Sequence, residues 1–268
     1  MDDVLRSSLW NALYLCVWKS ITYDPYVAST RLEYSNLFWL FQVYWHHYFK
    51  KPLDTLPAYF EDVNEIVRNY FFSCKWNEVY DFIEFTANET PNDLSKEFIK
   101  FCNKVLKSEM SAFRFVGKEI GEITSEEEIS SIEDALKKTS MFDGIQEHLT
   151  TALALLFDRK DPDFRNSIKE SISAVEALAK ILTRKPKATL GDALKILEEE
   201  ANIHPALKTS LSALYGYTSD ADGIRHAMMD ESNLTFNDAK FVLVTCTAFV
   251  NYLLGKAAEN TKLEKLLA

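Results

Sequence analysis

Glycine and proline are scarce in this sequence, with 7 residues of each among 268. Because β-sandwiches and β-barrels need many turns, which these two residues usually supply, the scarcity argues against both folds. The sequence also lacks the short motifs GxxxxGK[ST], GxGxxG, HExxH and GxSxG. Their absence argues against most nucleotide-binding proteins, zinc proteases and α/β-hydrolases.

Cysteine is also sparse, and the four residues form no CxxC pair: Cys16, Cys74, Cys102 and Cys246. Their apolar neighbours favour buried free thiols in a reducing cytosol, and no ligand spacing indicates a zinc site. The N-terminus lacks signal-peptide features, and no uninterrupted apolar run approaches about 18 residues. We therefore expect a cytoplasmic protein with no membrane segment, no metal and no other cofactor.

Basic residues are fewer than acidic ones, 30 against 40, and the net charge is −10 at pH 7. An extended basic surface that coats nucleic acid is therefore not expected. A local basic pocket that acts on RNA remains compatible with this charge.

Apolar residues make up 47% of the chain and recur at helical spacing in most segments, which predicts an all-α protein. All five tryptophans and nine of the twelve tyrosines precede residue 81, so two parts with differently built cores are expected. A new helix start at Thr124 or Ser125, with acidic residues in its first turn, places the boundary near residues 120–140. The stretch AFRFVGKEIGEI alternates, and it is also compatible with a short strand pair.

The segment GYTSDADGIRHAMMDE, residues 216–231, places an arginine beside a histidine. Arg225 and His226 could together cleave RNA without a metal. The histidine would activate the 2′-hydroxyl or protonate the leaving 5′-oxygen, and the arginine would stabilise the pentacoordinate phosphate. The residues alone favour a polar turn instead, in which Asp220, Asp222 and Asp230 hold Arg225 while His226 caps a helix.

A second polar cluster lies in DFRNSIKESISAVE, residues 163–176. On a helix, one stripe carries Arg165, Lys169, Ser173 and Glu176, and the adjacent row carries Asn166 and Glu170. Such a stripe usually marks a solvated edge, but it becomes a pocket wall if it faces the Arg225 segment. In that case the substrate-binding residues would be Arg165, Asn166, Lys169, Glu176 and Asp222.

Two adjacent histidines, His46 and His47, lie in a strongly aromatic segment. We expect one ring to pack or hydrogen-bond and the other to be exposed, and we do not expect them to bind a metal. The aromatic residues around them could stack on RNA bases. Because basic residues are not interleaved with them, we expect core packing instead.

Five stretches taken in order resemble a known family: LWNALY, EVYDFIEF, SEMSAFRFVG, DRKDPDFRNSIKESISAVEAL and LYGYTSDADGIRHA. Together they look like bacterial proteins that carry an AbiJ-type N-terminal domain, and AbiJ is an abortive-infection protein of phage resistance. The resemblance covers residues 1–255. It implies an AbiJ-type helical domain over residues 1–122 and, over residues 123–268, a bundle similar to HEPN domains, which often dimerise.

The resemblance to HEPN domains implies an antiphage or toxin-like, metal-independent endoribonuclease that acts on host or phage RNA. HEPN ribonucleases carry an arginine and then a histidine after four to six intervening residues, whereas Arg225 and His226 are adjacent and no histidine here has that spacing. Two possibilities follow. Either Arg165 supplies the arginine to His226 across the bundle, or the domain is a non-catalytic sensor or scaffold that binds a phage component, a nucleotide or a partner protein. The implied partners are a second copy of the chain and a phage-derived trigger or regulatory protein.

Overall fold

The structure is a computed structural model that describes residues 1–184, 187, 189–201, 203–220 and 234–259. Contacts divide the chain into two units, Met1–Glu122 and Ile123–Ala268. Helices dominate the described part of both units, which confirms the predicted all-α class.

The first unit is formed by helices and one small hairpin. Its α-helices are α1 (Asp3–Cys16), α2 (Phe38–Val43), α3 (Phe60–Ser73), α4 (Trp76–Glu89) and α5 (Asn92–Ser108). Short 3-10 turns occupy Trp18–Ser20, Leu32–Tyr34 and Leu53–Thr55, and a π-helix, Tyr44–Tyr48, continues α2. The alternating stretch forms the antiparallel strands β1 (Arg114–Val116) and β2 (Glu119–Gly121), as the strand-pair alternative predicted. Gly117 makes the turn at φ 61°, a left-handed conformation that glycine adopts without strain.

Aromatic rings fill the core of the first unit. Phe82 on α4 is fully buried, with its ring centroid 5.0 Å from that of Tyr44 and 5.1 Å from that of Tyr48. The buried Tyr44 hydroxyl lies 3.0 Å from the Thr86 hydroxyl, so its polar group is satisfied inside the core. The concentration of tryptophan and tyrosine before residue 81 therefore reflects how this core is packed.

The second unit is a bundle whose described helices are α6 (Glu126–Lys138), α7 (Asp143–Phe157), α8 (Phe164–Thr183), α9 (Leu190–Ala201), α10 (Pro205–Asp220) and α11 (Phe236–Ala258). Side-chain caps start two of them, the first at one of the positions that the sequence predicts. The Ser125 hydroxyl accepts a hydrogen bond from the Glu128 amide, and Thr235 and Asp238 form a reciprocal capping box.

Helix α11 packs against α6, α7 and α8. The Asn251 side-chain amide donates to the Ser131 carbonyl at 2.8 Å, which joins α11 to α6. Cys246, on the buried face of α11, is 3% exposed, and burial raises the pKa of its thiol to about 12. At neutral pH this thiol is protonated and acts as a small apolar side chain.

By length and composition, the 23-residue helix α11 is long and apolar enough to cross a membrane. Half of its most apolar stretch is buried inside the protein, as in the core helix of a bundle. One such helix is weak evidence for a membrane segment, because a core helix satisfies the same criteria. The expected absence of a membrane segment stays a prediction.

Candidate functional site

Helices α7 and α8 form a hairpin within the second unit. The Asp163 amide donates to the Leu155 carbonyl at 3.1 Å, and the Ser167 hydroxyl donates to the Ala152 carbonyl at 2.8 Å. Later residues of α8 contact earlier residues of α7, so the two helices are antiparallel. Ser167 and Ala152 are both fully buried, and their small side chains allow a close approach of the two helices.

A histidine–carboxylate pair bridges this hairpin one turn further on. His148 Nδ1 on α7 lies 2.6 Å from Glu170 Oε2 on α8, and their side chains are 37% and 21% exposed. An ionised carboxylate at that distance holds the proton of the ring on Nδ1 and fixes the ring orientation. Nε2 of His148 has no hydrogen-bond partner among the described residues and remains available for proton transfer. Sequence inspection missed this pair, since the two residues are far apart in the chain and only helix packing joins them.

Asn166 forms part of the N-terminal cap of α8. Its backbone amide donates to Asp163 Oδ1 at 2.9 Å, and its side-chain amide donates to Asp163 Oδ2 at 2.6 Å. In the loop before the helix, amide hydrogen bonds from Asp161 and Lys160 lower the pKa of the Asp158 carboxyl. The side-chain nitrogen of Asn166 thus donates one hydrogen bond within the cap, and its side-chain carbonyl oxygen accepts none among the described residues.

Arg165, Lys169 and Glu176 lie along one edge of α8. Lys169 is exposed, whereas Arg165 and Glu176 are half-buried and both take part in interactions with other groups. At about 100° per residue, Arg165 and Glu176 lie roughly 120–140° around the helix axis from Glu170. Glu170 therefore faces His148, whereas the predicted stripe of Arg165, Lys169 and Glu176 lies on a different face of α8. Exposed Asn166 lies between these two faces.

Arg225, His226 and Asp222 lie outside the described residues. At the start of α11, Phe236 packs near the α7–α8 connection, with its ring centroid 6.4 Å from that of Phe157 and 6.3 Å from that of Phe164. The catalytic roles of Arg225 and His226 stay predictions.

A cavity of about 190 Å³ lies in the first unit. Among its lining residues are Arg31, Leu32, Glu33, Phe38, Gln42 and Leu56. Arg31 Nε contacts Glu33 Oε1 at 2.9 Å, and both side chains are about half exposed. The cavity therefore offers an apolar floor beside an exposed ion pair, at a volume below the roughly 300–1,000 Å³ of drug-sized sites.

The histidine pair agrees with part of the expectation drawn from the sequence. His46 and His47 are both exposed, so neither ring is packed, and the alternative of a hydrogen-bonded ring applies. Their rings contact each other, with His46 Nδ1 3.3 Å from His47 Nε2. In the part of the chain that the structure describes, no group of three or more His, Cys, Asp or Glu side chains could hold a metal.

Comparison with known proteins gives one family. The model described as AbiJ N-terminal domain 4 matches residues 1–138, just over half of the chain. The matched segment contains the first unit and also α6, which packs against α11 in the second unit. Searches of curated proteins and of solved structures found no match.

Proposed function

Because the chain belongs to the AbiJ N-terminal domain 4 family, we propose that it acts in antiphage defence as a metal-independent endoribonuclease. An AbiJ-type domain suggests abortive infection, which is an antiphage defence. An endoribonuclease of this kind would act in the cytoplasm, on host or phage RNA. The resemblance of the second unit to HEPN domains supports this activity, and a phage-derived trigger or regulatory protein would control it.

The observation that carries the enzymatic proposal is the His148–Glu170 pair, with its 2.6 Å contact. In metal-independent cleavage, the RNA 2′-oxygen loses its proton and attacks the adjacent phosphorus, while the 5′-oxygen gains a proton and leaves. The products are a 2′,3′-cyclic phosphate and a 5′-hydroxyl. A histidine whose ring is fixed by a carboxylate can serve as the base or the acid in this reaction. His226 is the second candidate and could supply the other proton transfer.

The transition state also needs a positive group beside the phosphate, because negative charge accumulates on the phosphate oxygens. Arg225 is the proposed group, and Arg165 is the alternative. Exposed Lys169 and the side-chain carbonyl of Asn166 would hold the RNA strand beside the His148–Glu170 pair. A strand crossing the outer face of α8 over Asn166 would reach both Lys169 and the His148–Glu170 pair.

The proposal predicts that the purified protein cleaves single-stranded RNA in the presence of EDTA. Product analysis by electrophoresis and mass spectrometry should show 2′,3′-cyclic phosphate ends, at a rate unchanged by EDTA. DNA of the same sequence is the matched control, because it lacks the 2′-hydroxyl. Cleavage that EDTA abolishes, or equal cleavage of the DNA, would contradict the mechanism.

A second candidate function is a sensor or scaffold that binds a phage component, a nucleotide or a partner protein without cleaving RNA. The cavity beside Arg31 and Glu33 favours it, since its lining offers both polar and apolar side chains to a ligand. The missing arginine–spacer–histidine signature favours it too. Expression in a bacterial host distinguishes the two functions: growth arrest with RNA degradation supports the nuclease. Normal growth with a stable partner in a pull-down supports the sensor.

We also propose that the second unit forms a homodimer through α11. Residues 241–255 contain no charged side chain, yet Phe241 is 58% exposed.

An aromatic residue at the centre of an interface often contributes about 2 kcal/mol or more to binding. Phe241→Asp should therefore weaken dimerisation at least about tenfold in size-exclusion chromatography with light scattering. Leu207→Asp, at an exposed site on α10, is the control, and an unchanged dimer in Phe241→Asp would refute this interface.

A further inference from the structure

The π-helix Tyr44–Tyr48 carries the exposed histidines His46 and His47. On a regular α-helix, adjacent side chains point about 100° apart and seldom share a ligand. Here the rings meet, with centroids 4.4 Å apart, an interplanar angle of 71° and His46 Nδ1 3.3 Å from His47 Nε2. Single π-helical turns occur mostly inside helices, frequently at functional sites.

The backbone that carries the two histidines is held on both sides. Before them, the Trp45 indole nitrogen donates to the Thr55 hydroxyl at 2.9 Å, and the Trp45 side chain is buried. After them, the Tyr48 hydroxyl lies 2.8 Å from the Tyr70 hydroxyl and donates to the Glu78 carbonyl at 3.1 Å. These anchors fix the segment, so a ligand that binds both rings does not have to order the backbone first.

The positions of the two ring nitrogens suit a divalent transition metal. With Zn–N bonds of about 2.0–2.1 Å, nitrogens 3.3 Å apart subtend an angle of about 105° at the metal, close to tetrahedral. Against the expectation from the sequence, we propose that His46 Nδ1 and His47 Nε2 together bind one zinc ion, with water in the remaining positions. Because both ring nitrogens must be unprotonated to bind a metal, zinc binding would replace the hydrogen bond between them.

The nearest charged side chains that follow the histidines in the chain are two lysines, Lys50 and Lys51. The ammonium of Lys51 lies over the rings of Trp45 and Phe49, at 4.9 and 5.7 Å from their centroids. Lys50 is exposed and follows the π-helix with a positive φ of 53°. Since the site has two protein ligands, its open positions could accept a carboxylate or imidazole from a partner.

The test is calorimetric titration of the full-length, metal-free protein with zinc chloride. The wild type should show a zinc-binding component that is lost in His46→Ala and in His47→Ala. Loss of an outer-shell partner alone costs about 10–100-fold in metal affinity, so loss of one ligand should weaken binding at least about tenfold. His204→Ala, at another exposed histidine, should retain that component.

X-ray absorption at the zinc edge of the wild-type complex is the second measurement, and it does not depend on how a variant folds. A zinc spectrum with two imidazole ligands would establish the site. Equal zinc binding by the wild type and both single variants, or a zinc spectrum without two imidazoles, would overturn the proposal. RNA cleavage does not enter either readout, so failure here leaves the nuclease proposal untouched.

Discussion

Replacing His148 by alanine is expected to lower the rate of RNA cleavage at least about a hundredfold, the usual contribution of a positioned acid or base. The ring of His148 transfers a proton through Nε2 while Glu170 holds Nδ1. Without the ring, water would have to transfer that proton, which it does poorly. Glu170→Gln keeps an acceptor for Nδ1 but removes the negative charge, and it should have a smaller effect than Glu170→Ala. The measurement is single-turnover cleavage of a labelled RNA in EDTA by each variant.

Stability gives an internal check on this prediction. The His148 and Glu170 side chains are partly exposed, and ion pairs of that kind contribute only about 0–1 kcal/mol to folding. A large fall in cleavage rate at nearly unchanged unfolding free energy would therefore indicate catalysis. His204→Ala is the matched control, since His204 is exposed and its Nδ1 accepts only the local Ala206 amide among the described residues. If His226→Ala removes activity and His148→Ala does not, the catalytic role belongs to His226 and the pair on α7–α8 is structural.

Phe82→Ala is expected to lower the unfolding free energy of the first unit by about 3–5 kcal/mol, the range for deleting a buried phenylalanine ring. The ring is fully buried and contacts five other aromatic rings, those of Tyr44, Tyr48, Phe49, Tyr70 and Phe71. Its removal leaves a cavity that these rigid neighbours cannot fill by small movements. Urea unfolding followed by tryptophan fluorescence measures the loss, because all five tryptophans lie in the first unit.

Phe72→Ala is the control for the core prediction. Phe72 is 37% exposed and contacts Trp10, Phe71 and the guanidinium of Arg68, which lies 4.7 Å from its ring centroid. Because much of that surface stays hydrated, we expect a cost well below that of Phe82→Ala. Equal costs at the two positions would mean that the aromatic cluster around Phe82 does not act as the centre of this core.

Local patterns predicted the helix starts and the buried faces well. Ser125 caps α6 as the sequence predicts, since a cap depends on residues three positions apart. On α8, Ile168, Ile172 and Val175 are buried as their spacing predicts. The contact between the rings of His46 and His47 was not predicted, because the π-helical turn that brings them together has no recognisable sequence pattern.

The sequence by itself determined the helical class, the caps and the aromatic character of the first core, because each depends on composition or on neighbours a few positions apart. Its motifs also led to the AbiJ resemblance, which the family match over residues 1–138 supports. Only the tertiary structure decided that Glu170, on the row of α8 beside Arg165 and Glu176, faces His148. The reason is physical. Periodicity tells which residues share a face of one helix, but the partner opposite that face depends on how α7 and α8 pack, which no short-range pattern records.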